Sequence, residues 1–142
     1  MNIEDSGHYG FSNDSDADPD LFGITQHRAA TAGYFGRGGL VVLRDSTFAD
    51  NGDGVWGDGV LITDPAAEVR VENVDLSGNG RVGLLLHGGT GVVSGGSVTG
   101  NALAIVQQDC DGLVPLQVDS TVISGNGDDT VHLCDLTVDL PP

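Results

Sequence analysis

Three carboxylates bracket the two cysteines of this chain. Asp109 and Asp111 flank Cys110, and Asp135 follows Cys134. Two acids held at short range can cleave a glycosidic link, one as general acid and the other as nucleophile or base. A second cluster, "NDSDADPD", sets Asp14, Asp16, Asp18 and Asp20 at alternate positions. That is a hard-oxygen array of the kind Ca²⁺ takes. With Asp14 as first ligand, an EF-hand loop needs Gly sixth and Glu twelfth, where Pro19 and Thr25 stand. The same run reads equally as a solvated acidic segment, and the acids beside the cysteines read equally as solvated turn residues.

The remaining chemistry is sparse. Among seven aromatic residues, Trp56, Tyr34 and Phe35 are candidates to stack on a sugar ring. Trp56 sits in an insertion, "DGVWGDG", that projects as a loop or folds back as a lid. His87 and His132 fall at outward positions of alternating strands. No CxxC pairing supports a zinc site. There is no G-x-S-x-G elbow, P-loop or HExxH. The glycines of "FGRGGL" lack the strand–helix setting of a dinucleotide fingerprint. Calcium is therefore the one cofactor the residues suggest.

What must position these groups follows from composition and period. The chain has 142 residues, suited to one domain. Its 21 acids comprise eighteen Asp and three Glu, and all five basic residues are Arg. Asp and the 23 glycines favour turns, whereas helices would use Glu and Lys. A net charge of −16 disfavours nucleic acid and anionic membrane as partners. No apolar run reaches the length of a membrane span, and the first residues lack the basic and apolar regions of a signal peptide.

A repeat emerges when the chain is aligned on Asn51, Asn79, Asn101 and Asn126, which lie 28, 22 and 25 residues apart. Each follows an apolar residue three positions earlier: Phe48, Leu76, Val98 and Ile123. Before each lies a segment such as "ENVDLSGNG" or "DSTVISGNG", and after it an apolar strand such as "VGLLLHG". A third strand, such as "AEVRVEN", precedes the motif. Fixed-period self-similarity marks a solenoid, and spacers too short for a crossover helix leave parallel stacking of coils. Unrelated Asn-Gly hairpins in an antiparallel sandwich are the alternative.

With its strand–"SGNG"–strand units, the chain resembles the right-handed parallel β-helix repeat proteins, the superfamily that includes pectate-lyase-like enzymes, over about residues 33 to 140. The resemblance implies an all-β parallel β-helix of about four coils. It also implies that Asn51, Asn79, Asn101 and Asn126 stack as a ladder. Enzymes of that family place acids on neighbouring coils, as Asp109, Asp111 and Asp135 would be. Their lyases also use a basic residue, and this chain has no Arg or Lys after Arg81. "GNGDDTV" is similar to one nonapeptide of the calcium-binding β-rolls but is not followed by a second copy.

Cys110 and Cys134 occupy nearly equivalent places on consecutive coils, so strand stacking at about 4.8 Å brings them within disulfide reach. Two buried free thiols are the alternative. A disulfide would place the chain in an oxidising setting, extracellular or at the cell surface. Residues 1–32 do not fit the period and read as an irregular acidic cap ahead of a β-helix domain over 33–142. "LTVDLPP" reads as one more short strand. So short a stack is expected to belong to something longer or to self-associate through an end. The expected role is a non-catalytic structural or binding module, a scaffold, adhesin-like or assembly unit with carbohydrate as a candidate contact. A polysaccharide lyase or glycoside hydrolase fragment, or a calcium-stabilised β-roll, are the alternatives.

Overall fold

A computed structural model describes residues 1–13 and 18–142. The first coil holds β1 (Asn2–Glu4), β2 (Tyr9–Asn13) and β3 (Asp20–Phe22). The second holds β4 (Thr25–His27), β5 (Ala32–Gly36) and β6 (Leu40–Arg44). The third holds β7 (Thr47–Ala49), β8 (Asp58–Thr63) and β9 (Glu68–Glu72). The fourth holds β10 (Asp75–Ser77), β11 (Val82–His87) and β12 (Thr90–Ser94), and the fifth β13 (Ser97–Thr99), β14 (Leu103–Gln108) and β15 (Gln117–Asp119). A sixth begins with β16 (Val122–Ser124) and β17 (Asp128–Leu133).

First, second and third strands of successive coils pair in parallel, giving sheets A and B of six strands and sheet C of five. This is a parallel β-solenoid with no helix among the described residues. The stack is longer than the Asn period indicates. β1 to β4 lie in the segment expected to be an irregular cap, yet they pair in register with the coils that follow. The period is hidden there because Ser6 and Ala29 stand where later coils have Asn.

Side chains of one type stack on those of the coil above, so the core is built of columns. Sheet A turns inward Ile3, Gln26, Phe48, Leu76, Val98 and Ile123. Sheet B contributes Phe11, Tyr34, Val60, Leu84, Ile105 and Val131, and sheet C Leu21, Leu43, Val71, Val93 and Val118. All but Ile3 and the polar Gln26 join one continuous apolar core. Phe11 stacks on Tyr34 at 5.9 Å, and Tyr34 meets Phe48 edge-on at 6.4 Å. Burial drives the Tyr34 phenol pKa up to about 12.

Corners explain the Asp and Gly excess. After sheet A the chain turns through Asp5, Arg28, Asp50, Gly78, Gly100 and Gly125, one per coil, with φ of 55°, 60°, 55°, 64°, 69° and 68°. This left-handed region admits Gly freely and Asp or Asn better than most residues. The amides of Asp5, Arg28, Asp50 and Gly78 then donate to the next coil, as Asp50 N does to Ser77 O at 2.9 Å and Gly78 N to Thr99 O at 3.0 Å.

Residues 134–142 form no strand. They leave the sixth coil and run back along the stacking direction over the outer face of sheet B. Leu136, Val138 and Leu140 pack there against Ala32, Leu61, Val82, Leu85 and Val106, a second, outer core. The alternation that suggests a strand in "LTVDLPP" instead seats every second side chain in this strap. Nine extended residues reach about 30 Å, enough to cross six coils spaced about 4.8 Å apart. The buried Gln108 carboxamide grips the strap backbone twice, accepting from Val138 N at 2.8 Å and donating to Val138 O at 3.0 Å.

Candidate functional site

The turn between sheets A and B concentrates the polar chemistry of the interior. Asn51, Asn79 and Asn101 are buried there, and Asn126 is partly so. The first three each present their backbone N–H and Nδ2 to one oxygen of the next coil. Asn51 donates both to Asn79 Oδ1 (3.2 and 2.8 Å), Asn79 to Asn101 Oδ1 (3.0 and 2.9 Å), and Asn101 to Asn126 Oδ1 (2.9 Å each). The second Nδ2 proton of Asn79, Asn101 and Asn126 goes to Phe48 O, Leu76 O and Val98 O. The four asparagines thus form the expected ladder, and it has a direction: donors point toward the carboxyl end.

A directed ladder leaves donors at one end and an acceptor at the other. Both ends are completed by residues that the repeat does not predict. At the carboxyl end Asp129 Oδ1 accepts from Asn126 N (2.9 Å) and Asn126 Nδ2 (2.7 Å), taking the place of a further Asn. At the amino end Asn51 Oδ1 accepts from Ala29 N and from Gln26 Nε2, both at 2.8 Å. Gln26 stands in the inward column, and its long side chain reaches from there into the ladder.

Small residues line the ladder. A Cβ on Gly33, Gly59 or Gly83 would lie 2.8, 2.8 and 3.1 Å from Nδ2 of Asn51, Asn79 and Asn101 respectively, too close for the neighbour to stay in place. Ala104 follows in that column. The next place, in the last coil, falls to Asp129, beside a register shift between β14 and β17. With no Asn beyond, a carboxylate fits where glycine or alanine otherwise stands. "GDDT" in place of a strand opening like "RVGL" is the one sequence signal of this cap.

Of the ionic clusters outside the core, one binds Arg28 to Glu4 and Asp5 on the first two coils, and two others involve candidate residues or their neighbours. On sheet B the fully buried Asp58 carboxylate binds Arg81 twice, Nε at 2.9 Å and Nη2 at 2.6 Å. Burial raises the Asp58 pKa against the pull of this guanidinium. Arg81 also donates to Asp139 O of the strap and lies 4.9 Å from the centre of the Trp56 ring. Trp56 is therefore folded back, its loop closed by Asp53 Oδ1, which accepts from Val55 N and Trp56 N. These backbone hydrogen bonds lower the Asp53 pKa.

The second cluster centres on His132, whose Nε2 meets Asp128 Oδ2 at 2.8 Å and whose Nδ1 meets Asp135 Oδ2 at 3.2 Å. The contact with Asp128, then that with Asp135, raises the His132 pKa. Hydrogen bonds from Thr130 and then His132 hold Asp128 at about 2. An imidazole engaged through both nitrogens is an ion-pair staple and has no nitrogen left to take a substrate proton.

Cys110 and Cys134 are joined, with Cα atoms 5.8 Å apart. The bridge carries Asp109, Asp111 and Asp135 together on the last two coils. There Asp109 lies 3.6 Å from His87 Nε2, Asp135 faces His132, and Asp111 is exposed. Each of the two engaged carboxylates meets an imidazole. Of the calcium candidates, Asp14 and Asp16 fall outside the described residues. Asp18 accepts from Leu40 N at 2.7 Å and Asp20 binds Arg44 through both oxygens. Among the described residues no group of three His, Cys, Asp or Glu is gathered to hold a metal, and no helix is long and apolar enough to cross a membrane. Tyr34 is fully buried, and Phe35 is stacked against Tyr9 at 4.7 Å. Comparison with protein families, curated proteins and solved structures finds no match.

Proposed function

We propose that this chain is a non-catalytic structural module, a stiff scaffold or assembly unit that works in an oxidising, extracytoplasmic setting. The observation that carries this reading is the unbroken relay from Gln26 Nε2 through Asn51, Asn79, Asn101 and Asn126 to Asp129. The side chains best able to do chemistry are spent on holding coils together. His132, Asp128 and Asp135 close on one another, Asp58 and Arg81 fasten the Trp56 loop and the strap, and Gln108 grips the strap backbone. A disulfide between the last two coils supports the oxidising setting.

The test is incubation with acidic and neutral polysaccharides, following absorbance of unsaturated products and release of reducing ends. No product is expected. Cleavage that disappears in Asp128→Asn or Asp135→Asn would replace this reading with the polysaccharide-enzyme one, with the carboxyl-terminal rim as its active site.

A further inference from the structure

Sheet C is the one sheet whose open outer face, among the described residues, sets arginines beside its acids, Arg44 and Arg70 among Asp20, Glu68, Glu72 and Asp119. Sheet B is covered by the strap. Sheet A turns out hydroxyls and acids with no arginine, in columns Asn2, Thr25, Thr47, Asp75, Ser97, Val122 and Glu4, His27, Ala49, Ser77, Thr99, Ser124. The two ends gather carboxylates: Glu4, Asp5, Asp18 and Asp20 at one, three of them paired by Arg28 and Arg44, and Asp128, Asp129 and Asp135 at the other with His132 as their one cationic partner among the described residues. End-to-end stacking of two chains of net charge −16 brings these together. The carboxyl end also has its ladder donors already taken by Asp129.

Sheet C shows a short outward column, Leu40, Glu68 and Thr90, and beside it two that run through all five coils. One runs Asp20, Val42, Arg70, Val92, Gln117 and the other Phe22, Arg44, Glu72, Ser94, Asp119. Phe22 and Val92 are exposed apolar side chains, and Arg70, Glu72, Val92 and Ser94 line a shallow hollow of about 270 Å³. We infer that this face docks against the same face of a second copy, with the two solenoids side by side about a twofold axis that runs along the stacking direction between the columns. Under that operation each residue of one column meets its same-strand neighbour in the other.

The consequences can be read off the columns. Arg70 faces Glu72 of the second copy, and Glu72 faces its Arg70. Gln117 faces Asp119, Val92 faces Ser94, and Val42 faces the stem of Arg44. No like charges are opposed. Arg44 already holds Asp20 within its own chain, and Arg70 lies 3.6 Å from Glu68, a loose contact that leaves it able to bridge outward. Three strands of five residues and two of three cover about 330 Å² per copy, below the standard interface size, so the dimer is weak and concentration-dependent. This inference rests on the structural-module reading and names its partner.

Sedimentation velocity of the full chain over a concentration series tests it. A dimer fraction that rises with concentration and falls with added salt is expected. Arg70→Glu and Glu72→Arg each oppose like charges at the twofold, and each should weaken the dimer by about tenfold or more. Mixed together, the two variants restore opposite charges at both contacts, because the all-acidic pair of one then faces the all-basic pair of the other. The mixture should form a heterodimer. Both positions are exposed, so both variants should keep the wild-type melting transition. Val92→Asp is the substitute should either lose it. A wild-type chain that stays monomeric, or an association that both charge reversals leave unchanged, overturns the inference. Monomer without polysaccharide cleavage removes the dimer alone, whereas cleavage removes the reading beneath it.

Discussion

The two ends of the asparagine ladder solve one problem with unequal thoroughness. At the carboxyl end the ladder's spare donors meet a carboxylate, the last two coils are cross-linked, His132 is held between Asp128 and Asp135, and the strap runs back over sheet B. At the amino end, with one more coil stacked beyond it, the spare acceptor meets the Ala29 N–H and the carboxamide of Gln26, whose own Oε1 is buried with no hydrogen-bond partner among the described residues. A ladder of stacked amides has no intrinsic reason to stop, so its ends must be made by side chains that break the repeat. The comparison teaches where that work is done. Donors left over need an acceptor with a charge or two lone pairs, and a carboxylate supplies both. An acceptor left over needs only an N–H, which Ala29 already offers.

The largest break should come between the ends. Asn79→Ala leaves Asn51 N and Nδ2 without their acceptor, and it removes the side-chain donor to Asn101 Oδ1, all in a buried site. Several unpaired buried groups at roughly 1–3 kcal/mol each predict a loss on the order of 4 kcal/mol in chemical denaturation. Asn126→Ala, at the partly solvated end, should lose less than half of that. Equal losses at the two positions would mean the ladder is not stabilised by burial.

Next comes the cross-link. Cys110 and Cys134 are 24 residues apart, and opening a loop of that size costs about 3 kcal/mol in the chain-entropy account. A Cys110→Ala, Cys134→Ala double variant should melt earlier. Hydrogen exchange should quicken in β14, β17 and the strap while β5 and β8 stay protected. Uniform quickening along all six coils would show that the ends are not separable.

How much of this could be read from residues alone differs between the ends for a physical reason. The period, the ladder and the cysteine pairing were legible because each repeats, and a repeat is visible as self-similarity. The spacing of Asn51, Asn79, Asn101 and Asn126 was enough to place the corner. The first coil and much of the second were not legible, because Ser6 and Ala29 occupy the ladder place there and the strands beside them are short and polar. The caps were not legible because a cap departs from the repeat by definition. Asp129 is one Asp among eighteen, and Gln26 stands in a column otherwise apolar. The strap misled because alternation of Leu136, Val138 and Leu140 describes any extended segment on an apolar surface, with or without a sheet partner.

Asp129→Ala should cost about 1–2 kcal/mol, since Asn126 keeps Val98 O and gains water at this exposed rim. Its neighbour His132 adds a pH signature at the same end. The folded pKa of His132 is raised above 6.5, so its contribution is whole below that pH and is lost as pH rises through the folded value. Asp128 is lowered from 3.8 to about 2, so its contribution is whole above 3.8 and fades as pH falls through about 2. The rim is therefore tightest between about pH 4 and 6.5. Hydrogen exchange in β17, corrected for intrinsic rate, should rise above that window and do so no longer in His132→Gln. Exchange in β5, remote from the cluster, should keep one protection throughout.

The smallest effect is expected at the other end, and it tests the asymmetry most directly. Gln26→Met keeps an unbranched side chain between Ile3 and Phe48 in the inward column. It loses the hydrogen bond to Asn51 Oδ1, which still accepts from Ala29 N. It also removes a buried oxygen with no partner among the described residues. A net hydrogen bond contributes about 1 kcal/mol, while relief of an unsatisfied buried acceptor returns a similar amount. Stability within about 1 kcal/mol of wild type is the expected result by thermal and chemical melting. Gly10 and Gly33 would remain necessary in either case, since a Cβ at Gly10 would sit 2.4 Å from Cγ of residue 26 and one at Gly33 2.7 Å from Gly59 O. A loss as large as that of Asn79→Ala would show Gln26 to be a full rung of the ladder, and the two ends to be capped with equal strength.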